Sequence, residues 1–176
     1  MSPDDIVMAF FPCTRFEDQI ILGFRGELFQ LSRYTDEQKL IYDINLHEEL
    51  HRNYLLVSQM AILAIRKGLR MVIENPYSEE HYLRRYWSIK PAIIDRDRTL
   101  NGDYFKKPTQ FYFIGHEPKK NLVFESLEYT ERRNVEHMRG ADRTRRRSEI
   151  HPQYANRFIR QYLIEPDKLD TFGKLK

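Results

Sequence analysis

Two short apolar runs, each followed by a proline and separated by a long stretch of helical periodicity, constrain this chain most. Ile6-Val7-Met8-Ala9-Phe10-Phe11 is too short for a typical helix and reads as a buried strand. Pro12 ends it, because proline has no N–H to give to a ladder. Leu69 to Glu74 reads as a second buried strand and runs into Asn75-Pro76. Between them, Thr35-Asp36-Glu37-Gln38 has the pattern of a capping box. The helical stretch it opens is expected to reach about Lys67, as one helix or two, with Gly68 as the stop. Its apolar positions, among them Leu40, Ile41, Ile44, Tyr54, Leu55, Val57, Ile62 and Ile65, recur at threes and fours. Strand, long helix, strand is the signature of a βαβ unit and a parallel sheet. Such sheets bind ligands at the carboxyl ends of their strands. Cys13 and the pair Glu74-Asn75 both fall there, so two strands deliver a thiol and a carboxylate to one edge.

The rest of the chain is less regular. A short helix rich in Tyr and Arg is expected over residues 79–87. Ala92-Ile93-Ile94 and Phe111-Tyr112-Phe113-Ile114 read as further strands. Residues 115–147 read as an insertion or loop region, and a last helix is expected over roughly 153–163. At 176 residues the chain is read as one domain, residues 1–165, with a tail over 166–176. A hydrophobic content of 41% with 13% aromatics supplies a core and excludes wholesale disorder. No apolar run approaches the roughly 18 residues of a membrane span. Residues 1–30 lack the basic-then-apolar pattern of a signal peptide, which makes a cytoplasmic location the expectation. One cysteine, Cys13, excludes an internal disulfide and a multi-cysteine zinc site.

The net charge is only +3, but it is unevenly spread. Residues 131–147 carry seven arginines against three acidic residues, and the remainder is close to neutral. Arginine forks match phosphates well. Arg139, Arg143, Arg145, Arg146 and Arg147 are therefore candidate phosphate contacts, with a solvated arginine loop as the competing reading.

Four segments in order carry a resemblance. Phe11-Pro12-Cys13-Thr14 and Glu74-Asn75-Pro76 each follow a strand. Lys107-Pro108-Thr109 precedes an aromatic strand, and Arg147-Ser148-Glu149-Ile150-His151-Pro152 leads into a helix. Together they resemble motifs of the DNA cytosine-5 methyltransferase family, in its phage-type form. The resemblance implies a partial Rossmann-like methyltransferase core and DNA as partner. It also implies methyl transfer from S-adenosylmethionine to cytosine. In that reading Cys13 is the nucleophile, and Glu74 assists at the base N3 with Asn75 beside it. Pro12, Asn75 and Pro76 lie against the cofactor, and Arg96 and Arg98 match an Arg-x-Arg pair that contacts the base. The chemistry suits these residue types. A thiolate adding at C6 turns C5 into an enamine-like nucleophile, which splits one hard step into two easier ones, and a base inside a duplex must first be flipped out. The sequence departs from the family in lacking a glycine-rich cofactor motif: none of its seven glycines forms Gly-x-Gly. A truncated or inactive enzyme, a homo-oligomer, or a partner chain supplying that motif each fits this departure.

Other readings stand beside this one. A non-catalytic nucleic-acid-binding module could use the same fold, with Tyr82, Tyr86 and Trp87 stacking bases or simply packing on the sheet. Cys13 competes with a plain buried cysteine, and Glu74 with an ion pair to Arg70. His47-Glu48-Glu49-Leu50-His51 matches the His-Glu-x-x-His pattern of zinc hydrolases, with Glu79 or Glu80 as a possible third ligand.

Overall fold

The computed structural model describes residues 5–10, 15–128, 133–134 and 148–176. Strand β1 (Ile6–Phe10) and strand β2 (Arg70–Pro76) pair in parallel, with Ile6 opposite Arg70 and Phe10 opposite Glu74. Their crossover contains a short helix α1 (Asp18–Phe24), a 3-10 turn at Phe29–Arg33, and the 31-residue helix α2 (Asp36–Arg66). Thr35 caps α2 as expected. Its Oγ1 accepts from the Gln38 N–H at 3.3 Å, and the Gln38 side chain accepts from the Thr35 N–H at 2.9 Å. Gly68, at φ +63°, ends the helix in a left-handed conformation that favours a residue without Cβ.

Helix α2 buries Leu46, Leu50, Val57, Ala61 and Ala64. The two alanines let its second half approach the sheet closely. From Leu50 onward this row packs in one cluster with Met71, Ile73, Tyr112 and Ile114. The row drawn from sequence is corrected here. Of its positions only Val57 is buried, and Leu40, Ile41, Ile44, Leu55, Ile62 and Ile65 are exposed.

After β2 come α3 (Tyr82–Tyr86), β3 (Ile93–Asp95), β4 (Phe105–Lys106) and β5 (Thr109–Ile114). β6 (Arg133–Asn134) and α4 (Pro152–Tyr162) follow. Four strands form one open sheet in the order β1-β2-β5-β3, and β4 and β6 form a second, parallel pair. The four-stranded sheet is mostly antiparallel with one parallel pair, which corrects the expectation of a mostly parallel sheet. The reason is what the connections contain. A parallel return usually runs through a crossover helix. Between β2 and β5 the helical segments are only the five residues of α3 and a 3-10 turn at Arg98–Asn101. The molecule is thus mixed α/β.

The chain divides into two compact units. The first is residues 1–92 with 110–116, and the second is 93–109 with 117–176. Residues 166–176, read from sequence as a tail, belong to the second. There Leu169 is buried and bridges to Leu175. Among the described residues no helix is long and apolar enough to cross a membrane.

Candidate functional site

In the first unit the carboxyl end of β2 carries Glu74, Asn75 and Pro76. Glu74 is only 8% exposed and Asn75 is fully buried. The Asn75 Nδ2 donates to the Glu74 carbonyl at 2.6 Å, while its Oδ1 accepts from no described group. From the neighbouring strand β5, Gln110 Nε2 donates to the Pro76 carbonyl at 2.8 Å, and its Oε1 is likewise without a donor. A buried acceptor with no donor costs free energy of about 1–3 kcal/mol. Two of them at one strand end mark a place where structure alone does not explain the side chains. The residue facing Glu74 across the ladder is Phe10, three residues before Cys13 in sequence. Pro12 and Cys13 themselves lie outside the described residues.

The chain after the Cys13 segment is tied down close by. Phe16 is buried, and its carbonyl accepts from the Tyr82 N–H at 2.9 Å at the start of α3. Its ring stacks on Tyr82 at 6.2 Å between centroids, and Tyr82 meets Tyr86 at 4.9 Å. These rings, with Arg15, Phe24, Arg25 and His47, line an open cleft of about 490 Å³. Burial pushes the Tyr82 phenol pKa up, and the neighbouring Tyr54 and Tyr86 add to the shift. Most of the cationic lining is neutralised: Arg15 pairs with Glu49, and Arg85 with Glu80. Arg25 is exposed. Of the residues expected to stack bases, Tyr86 is 64% exposed, but Trp87 is buried. Trp87 donates to Ser58 Oγ at 3.1 Å and packs edge-on against Tyr112 at 5.3 Å, so it is a core residue.

The second unit holds a buried polar network that sequence reasoning missed. Arg98 and Asp103 form an ion pair with both side chains 1% exposed. The Arg98 guanidinium lies 4.5 Å over the Tyr154 ring. Asp103 Oδ1 accepts from the His151 N–H at 3.0 Å and from the Tyr104 N–H at 2.7 Å. His151 caps α4, its Nδ1 accepting from the Gln153 N–H at 3.0 Å. The Tyr154 hydroxyl donates to Asp95 Oδ2 at 3.2 Å, which also accepts from Asn101 at 2.9 Å. Arg98, expected to contact nucleic acid, is therefore an interior structural residue. Arg96, two residues away, is exposed. His151 and the Lys107–Thr109 segment are anchored in this unit: Thr109 is buried and donates to the Lys107 carbonyl at 2.9 Å.

Arg139, Arg143, Arg145, Arg146 and Arg147 lie outside the described residues. His47, Glu48 and His51 are exposed on α2, and His47 packs on the Phe24 ring at 4.6 Å. Glu79 and Glu80 pair with Arg84 and Arg85 instead of approaching the histidines. Among the described residues no three His, Cys, Asp or Glu side chains come together as metal ligands do. The chain matches no protein-family model, no curated protein and no solved structure.

Gln110 is the site residue the sequence reading passed over. Its signal was available: a lone amide in the otherwise apolar run Phe111–Ile114 and its threshold, on a strand buried at every position. Such a residue keeps its place only where its amide has work to do.

Proposed function

We propose that this chain is a cytosine-5 methyltransferase-like protein that engages a pyrimidine base in DNA through Cys13. The observation that carries the reading is the parallel ladder that sets Glu74 opposite Phe10, so that a buried carboxyl group stands three residues along from a cysteine. The Cys13 thiolate adds at C6 of the base. The electron pair displaced from the C5–C6 bond moves toward the ring N3, where Glu74, as the protonated acid, supplies the proton.

S-adenosylmethionine, the methyl donor that the resemblance implies, finds no cradle among the described residues. Asn75 is fully buried with its amide on Glu74, and the Pro76 carbonyl is taken by Gln110. The steps assigned to this chain therefore stop at base activation, and a partner chain is proposed to hold the donor.

The test uses duplex DNA in which 2-pyrimidinone replaces cytosine at randomised positions, because that ring accepts thiolate addition readily. The native chain is expected to form an adduct that survives denaturation. Cys13→Ser abolishes it, and Glu74→Gln lowers its rate by about 10²–10⁴-fold, the usual size of an acid–base contribution. An adduct that persists in Cys13→Ser would sink the assignment. Calorimetry with S-adenosylhomocysteine is expected to show no saturable binding to this chain alone.

The cleft lined by Tyr82 and Tyr86 favours a second reading, a nucleic-acid module that stacks a base without chemistry. It predicts unchanged DNA affinity and no adduct in either form.

A further inference from the structure

Helix α2 has two apolar faces, and the sheet uses one. Leu46, Leu50, Val57, Ala61 and Ala64 point inward. On the other side Leu40 is 64% exposed, Ile41 52%, Ile44 59%, Leu55 40%, Ile62 47% and Ile65 55%. At 100° per residue these positions gather on one side of the helix, away from the buried row. They form two apolar ends, Leu40–Ile44 and Leu55–Ile65, around a polar waist of Glu48, His51 and Arg52. The charges at the tips are opposite. The first turn carries Asp36 and Glu37, and the last turn and cap carry Arg66 and Lys67.

We propose that this face of α2 is a dimer interface that packs antiparallel against the same face of a second copy of the chain. A twofold axis between His51 and Arg52 sets Ile41 across from Ile62 and Leu40 across from Leu63. The same axis brings Glu37 of one copy to Arg66 of the other. It leaves Glu48 one turn from Arg52 of the other copy. Parallel packing stacks acid on acid and base on base, whereas the antiparallel pair sets opposite charges against each other at each end. Self-complementarity of this kind is what an isologous contact requires. The size also fits. Six half-exposed Leu and Ile side chains stand at the upper end of the roughly 300–600 Å² of a monomer's largest apolar patch. The stems of the flanking charged residues extend the contact toward the ~800 Å² per partner of a standard interface.

The test is sedimentation equilibrium of the full chain over a range of concentrations, with circular dichroism to confirm folding. The native chain is expected to dimerise. Ile62→Lys, an exposed position that leaves the core intact, is expected to give a folded monomer. Reversing one tip (Arg66→Glu) weakens association roughly threefold, since it removes two exposed ion pairs of modest strength. Reversing both tips, by adding Glu37→Lys, restores it. A native chain that stays monomeric overturns the proposal. So does a dimer that Ile62→Lys leaves intact, and so does a double reversal that fails to restore association.

Discussion

Arg98 shows how local sequence can mislead at the scale of one residue. In sequence it is one basic residue among nineteen arginines, and its neighbours Arg96 and Asp97 suggest a polar surface loop. In the structure it is the largest fully buried side chain, held by Asp103 and covered by Tyr154. Asp103 lies five residues on and Tyr154 fifty-six, and no periodicity links them. Glu74 was legible for the opposite reason. It closes an apolar run whose buried state is evident, so a carboxyl group there needs an explanation from the outset. Asp103→Asn tests the network. It leaves a buried guanidinium without its counter-charge while keeping an oxygen for the His151 and Tyr104 N–H groups. The loss expected is about 3–5 kcal/mol, as for breaking one side of a buried ion pair. Urea unfolding monitored on both units measures it, and a loss below about 1 kcal/mol, the value of an exposed pair, would show that Arg98 is solvated.

At the scale of elements, boundaries were easier to read than faces. The Thr35 capping box and Gly68 fixed α2 almost to the residue, because caps are local hydrogen-bond problems. Thr35→Ala removes the acceptor for the Gln38 N–H and is expected to cost about 1 kcal/mol. Thr35→Ser, which keeps the oxygen, should restore most of it, and calorimetric melting compares the three. The inward face was not legible, because α2 is apolar on both sides and its largest apolar residues are the exposed ones. Alanines at 61 and 64 decide the packing by letting the helix close on the sheet, and a periodicity that weights large residues passes over them. Strand direction failed similarly. The β1–β2 pairing followed from the long helix between them. For β3 and β5 the strands were found but not their orientation, since what tells the two directions apart is whether a crossover helix joins the strands.

For the whole molecule, two units share one alkaline limit. Tyr112 is buried in the first unit and Tyr154 in the second. Burial drives both phenol pKa values up, opposed at Tyr112 by Arg84 and at Tyr154 by Arg98, with Asp95 adding to the rise at Tyr154. A raised pKa means that the fold favours the protonated phenol. The stability this contributes is complete below the ordinary tyrosine value near 10 and is lost as pH rises beyond it. The phenolate absorbance of Tyr112 and Tyr154 should appear only in step with loss of the circular dichroism signal. A single early titration of all eleven tyrosines with the dichroism unchanged would contradict the burial of both rings.

The parallel ladder has a further consequence, in the order of synthesis. Ile6 and its partner Arg70 are 64 residues apart. At roughly 5–20 residues per second, β1 waits about 3–13 s for β2 to be made. During that interval Ile-Val-Met-Ala-Phe has no ladder to join, and α2, whose contacts are local, can form first. The strand that leads into Cys13 therefore stays unpaired until its partner emerges.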